Sequence, residues 1–205
     1  MRVAGPPGLQ RVVLTGSECT GKTTLATELA ARFGCLWVPE YVRGYMDARG
    51  GEFWADPAAT ATGSAQLFAA PFGRRLELTY ADVEPIARGQ IEALESATRA
   101  SSRVLIQDTD LISTAIYSRH YYGDCPDWIE NAARERRAQL YLLLHPDVPW
   151  LEDPQRDRGD RRGELHALFA AALAQLNVQV VDVRGSWAER SRAAHAAVED
   201  LLAKA

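Results

Sequence analysis

The stretch Arg11-Val-Val-Leu-Thr15-Gly16-Ser-Glu-Cys-Thr-Gly21-Lys22-Thr23-Thr24 decides how this chain is read. Its first five residues form a short apolar run, which suits a strand buried on both faces. Gly16 to Thr23 then fit the pattern G-x-x-x-x-G-K-[ST]. After it, apolar Leu25, Ala26, Leu29, Ala30 and Phe33 recur at helical spacing, and Gly34 ends the run. Strand, glycine loop and helix, in that order, are the context the pattern needs. The physics explains the spacing. Two glycines let the backbone curl so that successive N–H groups face one anion. The new helix adds the positive end of its dipole. Lys22 supplies a full charge, the Thr23 hydroxyl is placed to ligand Mg²⁺, and Thr24 can reach an α-phosphate. Gly16, Ser17, Glu18, Cys19, Thr20, Gly21, Lys22, Thr23 and Thr24 are thus the expected cradle for a nucleoside triphosphate, ATP with Mg²⁺.

Outward from this loop, apolar runs predict further strands at Cys35–Pro39, Arg103–Gln107, Leu140–Leu144 and Val178–Val183. Helices are expected near Ile86–Ala100, Leu111–Tyr121, Trp128–Arg137, Leu165–Leu176 and Ala188–Lys204. Strands without clean alternation, separated by helices, predict a doubly wound α/β domain around a parallel sheet. Residues 50–79 are rich in Ala, Gly, Pro and Thr and read as an irregular or partly helical excursion, a cover or a contact surface. One domain over residues 1–205 is expected.

Composition narrows the function. Net charge is −4, and no basic stripe is interleaved with aromatics, which argues against nucleic acid as the default partner. Apolar runs such as Leu140–Leu144 are too short to span a bilayer, and Met1–Gln10 has no apolar signal core, so no membrane partner and a cytoplasmic setting are expected. Cys19, Cys35 and Cys125 make no CxxC pair and read as free thiols. Of 23 basic residues only Lys22 and Lys204 are lysines. That one of them stands in the phosphate loop suits an ammonium acting as a compact point charge.

Further chemistry sits where strands end. Asp108-Thr-Asp110 follows the third strand, where a carboxylate can hold Mg²⁺ through water; either aspartate can equally cap the next helix. Asp108 is expected on the metal with Thr23, and Asp110 capping or touching substrate. Glu40-Tyr41-Val-Arg43 follows the second strand, so Glu40 would face the cleft and take a proton from an acceptor hydroxyl, with Tyr41 and Arg43 near the acceptor. The plainer alternative is a Glu40–Arg43 ion pair at helical spacing. Asp153 to Arg162 carries four arginines and suits a closing lid, with Arg156 and Arg162 neutralising the transferring phosphoryl group; a solvated charged loop is the alternative. Tyr117, Tyr121, Tyr122, Trp128 and Trp150 are candidates to stack on a planar base or a pyridinium ring, or else belong to core and rim. Trp187, after the fifth strand, is a candidate to rest on adenine.

The pieces GSECTGKTT (16–24), PEYVRGY (39–45), YADVEPIARGQ (80–90), DTDLISTAIYSRHYYG (108–123), YLLLHPDVPW (141–150) and GSWAER (185–190), with the arginine-bearing stretch 153–162, cover most of the chain in order. Together they resemble the ribosylnicotinamide kinase domain of NadR-type proteins, a branch of P-loop kinases often labelled AAA-like ATPases. The resemblance implies a P-loop small-molecule kinase fold with strand order 2-3-1-4-5 and a helical lid. It implies transfer of the γ-phosphate of ATP to the 5′-hydroxyl of nicotinamide riboside, giving nicotinamide mononucleotide for NAD synthesis. It supports phosphate-loop roles for Lys22 and Thr23, a cleft-facing Glu40, Asp108 toward metal or substrate, and lid arginines at 156 and 162. The excursion at 50–79 is longer than the family leads one to expect, and 205 residues leave no room for the adenylyltransferase or helix-turn-helix parts such proteins often carry. Another nucleoside-like acceptor, a nucleotide-dependent switch and a polynucleotide 5′-kinase are the competing readings. Oligomeric state is not legible.

Overall fold

A computed structural model describes residues 6–50, 78–148 and 161–205. In chain order the elements are β1 (Gln10–Thr15), α1 (Lys22–Phe33), β2 (Trp37–Val38), α2 (Tyr41–Gly50), α3 (Tyr80–Ala100), β3 (Val104–Asp108), α4 (Leu111–Tyr122), α5 (Asp127–Glu135), β4 (Leu140–Leu144), α6 (Arg162–Gln175), β5 (Gln179–Val183) and α7 (Trp187–Ala203). The sheet is five-stranded and parallel, in the order β2-β3-β1-β4-β5. The order expected from the resemblance is the one found.

Side chains alternate across a strand, so both faces of a central parallel strand must be apolar. Val12 and Leu14 of β1 and Leu140, Leu142 and Leu144 of β4 pack on one face with Leu25 and Leu29 of α1 and Val198 of α7. Val13, Tyr141 and Leu143 point the other way, onto Ile112 of α4, Ile129 of α5 and Phe169 of α6. This is why the strands read as unbroken apolar runs. The edge strand β5 departs from that pattern, with only Val183 fully buried.

Two elements differ from the expectation. Helix α2 was not anticipated. Its stability comes from partners remote in sequence: the Tyr45 hydroxyl donates to Asp82 Oδ1 at 2.7 Å, and Arg49 also bonds that oxygen. Helix α3 begins at Tyr80 instead of near Ile86. The Asp82 carboxylate accepts from both the Thr79 N–H and its hydroxyl, each at 2.8 Å, and so starts the helix six residues earlier, with Pro85 inside it.

Burial alone would raise the pKa of Asp82, but the bonds from Thr79, Tyr45 and Arg49 outweigh it and hold the carboxyl down at about 2. A depressed carboxyl stabilises the fold fully above its ordinary value near 3.8 and loses that contribution as pH falls through about 2. Asp82→Asn is therefore expected to lower stability at pH 7 by about 1–3 kcal/mol, with the difference from the parent shrinking below about pH 3. Urea melts at pH 7 and pH 2.5 test this; an equal gap at both would refute it. Among the described residues no helix is long and apolar enough to cross a membrane.

Candidate active site

The loop between β1 and α1 is built by conformations that few residues tolerate. Gly16 has φ +126°, and a β-carbon on it would lie 2.6 Å from the Leu144 carbonyl oxygen of β4. Gly21 caps α1 with φ +85°, and a β-carbon on it would lie 2.9 Å from the ring of Trp187. Lys22 is buried and donates from Nζ to the carbonyls of Gly16 at 3.1 Å and Ser17 at 2.7 Å. The Thr20 hydroxyl also donates to Ser17 O, at 3.0 Å. The loop is thus folded around its own lysine.

Register brings the metal-type residues beside it. Leu14 pairs with Asp108 across β1 and β3, and the Thr109 N–H donates to Leu14 O at 3.0 Å. The Thr23 hydroxyl then donates to Asp108 Oδ2 at 2.5 Å. Asp108 is pushed up to about 6, by burial first and by the nearby Glu40 carboxylate second, while Lys22 and the Thr23 bond pull it back. Asp108 Oδ1 and Ser17 Oγ are buried without a hydrogen-bond partner among the described residues. Buried polar atoms left so are unusual in a folded protein; here Ser17 Oγ belongs to the loop and Asp108 Oδ1 to the carboxylate that meets Thr23. A hydroxyl and a carboxylate in contact, with one carboxylate oxygen spare, form an oxygen donor pair that suits Mg²⁺.

Glu40 and Arg43 form the ion pair that was the plainer alternative for them, with Arg43 Nε donating to Glu40 Oε2 at 3.0 Å. Glu40 is largely buried, its side chain 17% exposed, and its charge is felt at Asp108. The pair therefore lies near enough to Asp108 for its charge to act there. Tyr41 is engaged with α3: its N–H donates to Gln90 Oε1 at 3.0 Å and its ring occupies the space over Gly89. Asp110 acts as the cap of α4. It accepts from Ile112 N at 3.0 Å and from the Tyr141 hydroxyl at 2.8 Å, and burial pushes it up to about 6. The left-handed φ of Thr109, +67°, turns the chain between the two aspartates and separates their roles.

Arg162 is buried at the start of α6 and donates to the carbonyls of Pro146 and, at 2.7 Å, Val148. It ties together the two flanks of the segment 149–160. Arg156 and Trp150, like most of the expected lid and the excursion, lie outside the described residues. Tyr117 stacks on Tyr121 with centroids 6.0 Å apart and meets Phe169 edge-on, so it is partly core. Trp128 carries the Arg88 guanidinium, 4.7 Å from its ring. Trp187 is exposed against Gly21, a flat wall beside the loop.

Gly89, Gln90, Asp147 and Arg190 were not singled out from the sequence. All four lie inside stretches that carry the resemblance, but none has a role readable from its own neighbours; Arg190 looks like any surface arginine until the fold buries it.

A family model described as an AAA domain matches residues 11–190, and the chain belongs to that family. The five-stranded parallel sheet in the order 2-3-1-4-5, with the glycine loop between β1 and α1, is a P-loop fold. Among curated proteins the chain is similar to the trifunctional NAD biosynthesis/regulator protein NadR of Escherichia coli, 27% identical over 177 residues. That match covers 85% of this chain and 38% of the relative, so the chain spans well under half the length of the protein it matches. Among solved structures, a NadR protein in complex with NR superposes with a TM-score of 0.67 at 22% identity, covering 96% of this chain and 50% of the other. A NadR protein in complex with NAD and AMP-PNP gives 0.67 at 23% identity, covering 95% and 50%.

Proposed function

We propose that this chain is a small-molecule kinase that transfers the γ-phosphoryl group of ATP to the 5′-hydroxyl of nicotinamide riboside, giving nicotinamide mononucleotide. The observation that carries the reading is the contact of Thr23 with Asp108, set directly behind Lys22 and within the field of Glu40. A simple nucleotide-binding switch has no use for that second, acceptor-side carboxylate. The similarity to NadR, and the NR held by one NadR structure, support the choice of acceptor.

In this reading the loop 16–24 holds the triphosphate, and Lys22 exchanges its loop carbonyls for phosphate oxygens. Thr23 and Asp108 would hold Mg²⁺, which would supply charge neutralisation for the phosphates. Glu40 takes the acceptor proton, with Arg43 fixing its carboxylate. Asp110 orders the start of α4 from behind. Arg156, and Arg162 at the segment's base, are assigned to the charge on the transferring group, and Trp187 to the adenine side. Catalysis is then positioning and charge stabilisation, with no covalent intermediate.

Release of ADP from ATP·Mg²⁺, with and without nicotinamide riboside, tests the reading, with the product identified by mass. Acceptor-dependent turnover giving nicotinamide mononucleotide is the expected result. Phosphorylation of deoxynucleosides alone would overturn the acceptor, and ATP turnover indifferent to any acceptor would overturn the kinase. Glu40→Gln is expected to cut kcat about 10²–10⁴-fold while nucleotide affinity stays within about twofold. Turnover unchanged in that variant would remove Glu40 from the mechanism.

A further inference from the structure

Arg190 is the largest fully buried side chain of the described residues, 0% exposed, on the first turn of α7. A buried guanidinium is costly to desolvate, and an apolar side chain of similar size would fill the same space without that cost. Its bonds connect three segments. Nε donates to Gly185 O at 2.9 Å, at the turn into α7. One terminal nitrogen donates to Thr20 O of the phosphate loop at 3.1 Å. The other donates to His145 O at 2.8 Å, just past β4, and bonds the Asp147 carboxylate. Asp147 in turn accepts from the Gly185 N–H at 2.7 Å, which closes the arrangement.

We propose that Arg190 is a positioning residue that sets the phosphate loop for nucleotide binding, a role that rests on reading residues 16–24 as the nucleotide site. The argument turns on the Thr20–Gly21 peptide. A trans peptide is planar, so its carbonyl and the following N–H point in opposite directions. Arg190 holds the Thr20 carbonyl toward α7 and thereby aims the Gly21 N–H away from α7. Gly21 is the residue at which the loop passes into α1, where N–H groups are the anion donors. The same side chain fixes Gly185, two residues before Trp187, whose ring rests on Gly21. Loop and aromatic wall are therefore held by one cation, and its removal frees both.

The test is titration of the full chain with a fluorescent ATP analogue and Mg²⁺, at a temperature well below melting. Arg190→Met and Arg190→Lys are expected to raise Kd about tenfold or more, and to raise KM for ATP more than they lower kcat. Val198→Ala opens a cavity on the same helix away from the loop and serves as the control for lost stability; its Kd is expected within about twofold of the parent. Folded Arg190 variants that bind like the parent would overturn the proposal, as would an equal loss in Val198→Ala. If neither arginine variant folds, Asp147→Asn carries the test: about a threefold rise in Kd is expected, and unchanged affinity overturns the proposal. A parent chain that binds no nucleotide overturns the site reading and this proposal together. A parent that binds, with variants that bind equally, overturns this one alone.

Discussion

Lys22→Ala is expected to reduce turnover about 10³-fold or more while leaving the melting temperature nearly unchanged. Both halves follow from where the lysine sits. Its side chain is buried, yet its hydrogen bonds go to two carbonyls, of Gly16 and Ser17. A buried cation so placed adds little net stability, because desolvation offsets what the bonds return. Truncation leaves those carbonyls beside a small space that water can enter, so the fold should stand. Turnover is another matter. In the proposed reading the ammonium is the full positive charge that the loop itself sets against the β- and γ-phosphates, and the loop holds no second lysine or arginine to replace it. Lys22→Arg should not restore activity, because a planar fork cannot occupy the space of a compact ammonium inside the closed loop. Circular dichroism melts and acceptor-dependent ADP release decide the matter. A variant keeping more than about a tenth of parent turnover would remove Lys22 from the mechanism.

Gly16→Ala should abolish nucleotide binding and cost about 2–4 kcal/mol of stability, by a mechanism separate from the lysine's. The added carbon meets the backbone oxygen of Leu144 at 2.6 Å, and that oxygen belongs to a central strand with nowhere to move. The backbone itself is at φ +126°, which an L-residue rarely adopts. Relief requires the loop to shift away from β4, carrying its N–H groups out of register with an anion. Gly34→Ala is the matched comparison. Gly34 also has a left-handed φ, +59°, but nothing lies within 4 Å of its added carbon. It should cost only about 1 kcal/mol and leave nucleotide affinity untouched. Equal behaviour of the two variants in titration would mean that backbone strain, and not the Leu144 contact, shapes the loop.

Both predictions concern residues that were legible before any fold was known, and the reason is local. A phosphate loop is a continuous piece of chain, so its glycines, lysine and threonine must appear at fixed spacing. The strands were legible for a related reason: β1 and β4 are buried on both faces and must be apolar throughout. Even the Thr79–Asp82 start of α3 was present as a local capping pattern, but Pro85 masked it and the helix was expected too late.

Residues whose role depends on remote partners could not be read this way. Helix α2 depends on Asp82, 33 residues beyond Arg49. Asp108 and Asp110 are two residues apart and chemically identical; Asp108 was expected beside Thr23, but by local sequence either could cap α4, and the left-handed turn at Thr109 is what separates them. Arg190 and Thr20 are 170 residues apart, and nothing local in either predicts that they meet.

The sequence by itself determined the phosphate loop, the alternation of strands and helices, and the chemical types available where the strands end. These follow from periodicity and from the steric demands of a single turn. Only the tertiary structure decided that the Thr23 hydroxyl meets Asp108 directly, that Glu40 lies near enough for its charge to act on Asp108, and that a buried arginine bonds the loop. Those outcomes rest on sheet order and register, which bring β1, β3 and β4 side by side, and on burial, which makes a charge matter by removing the water that would screen it.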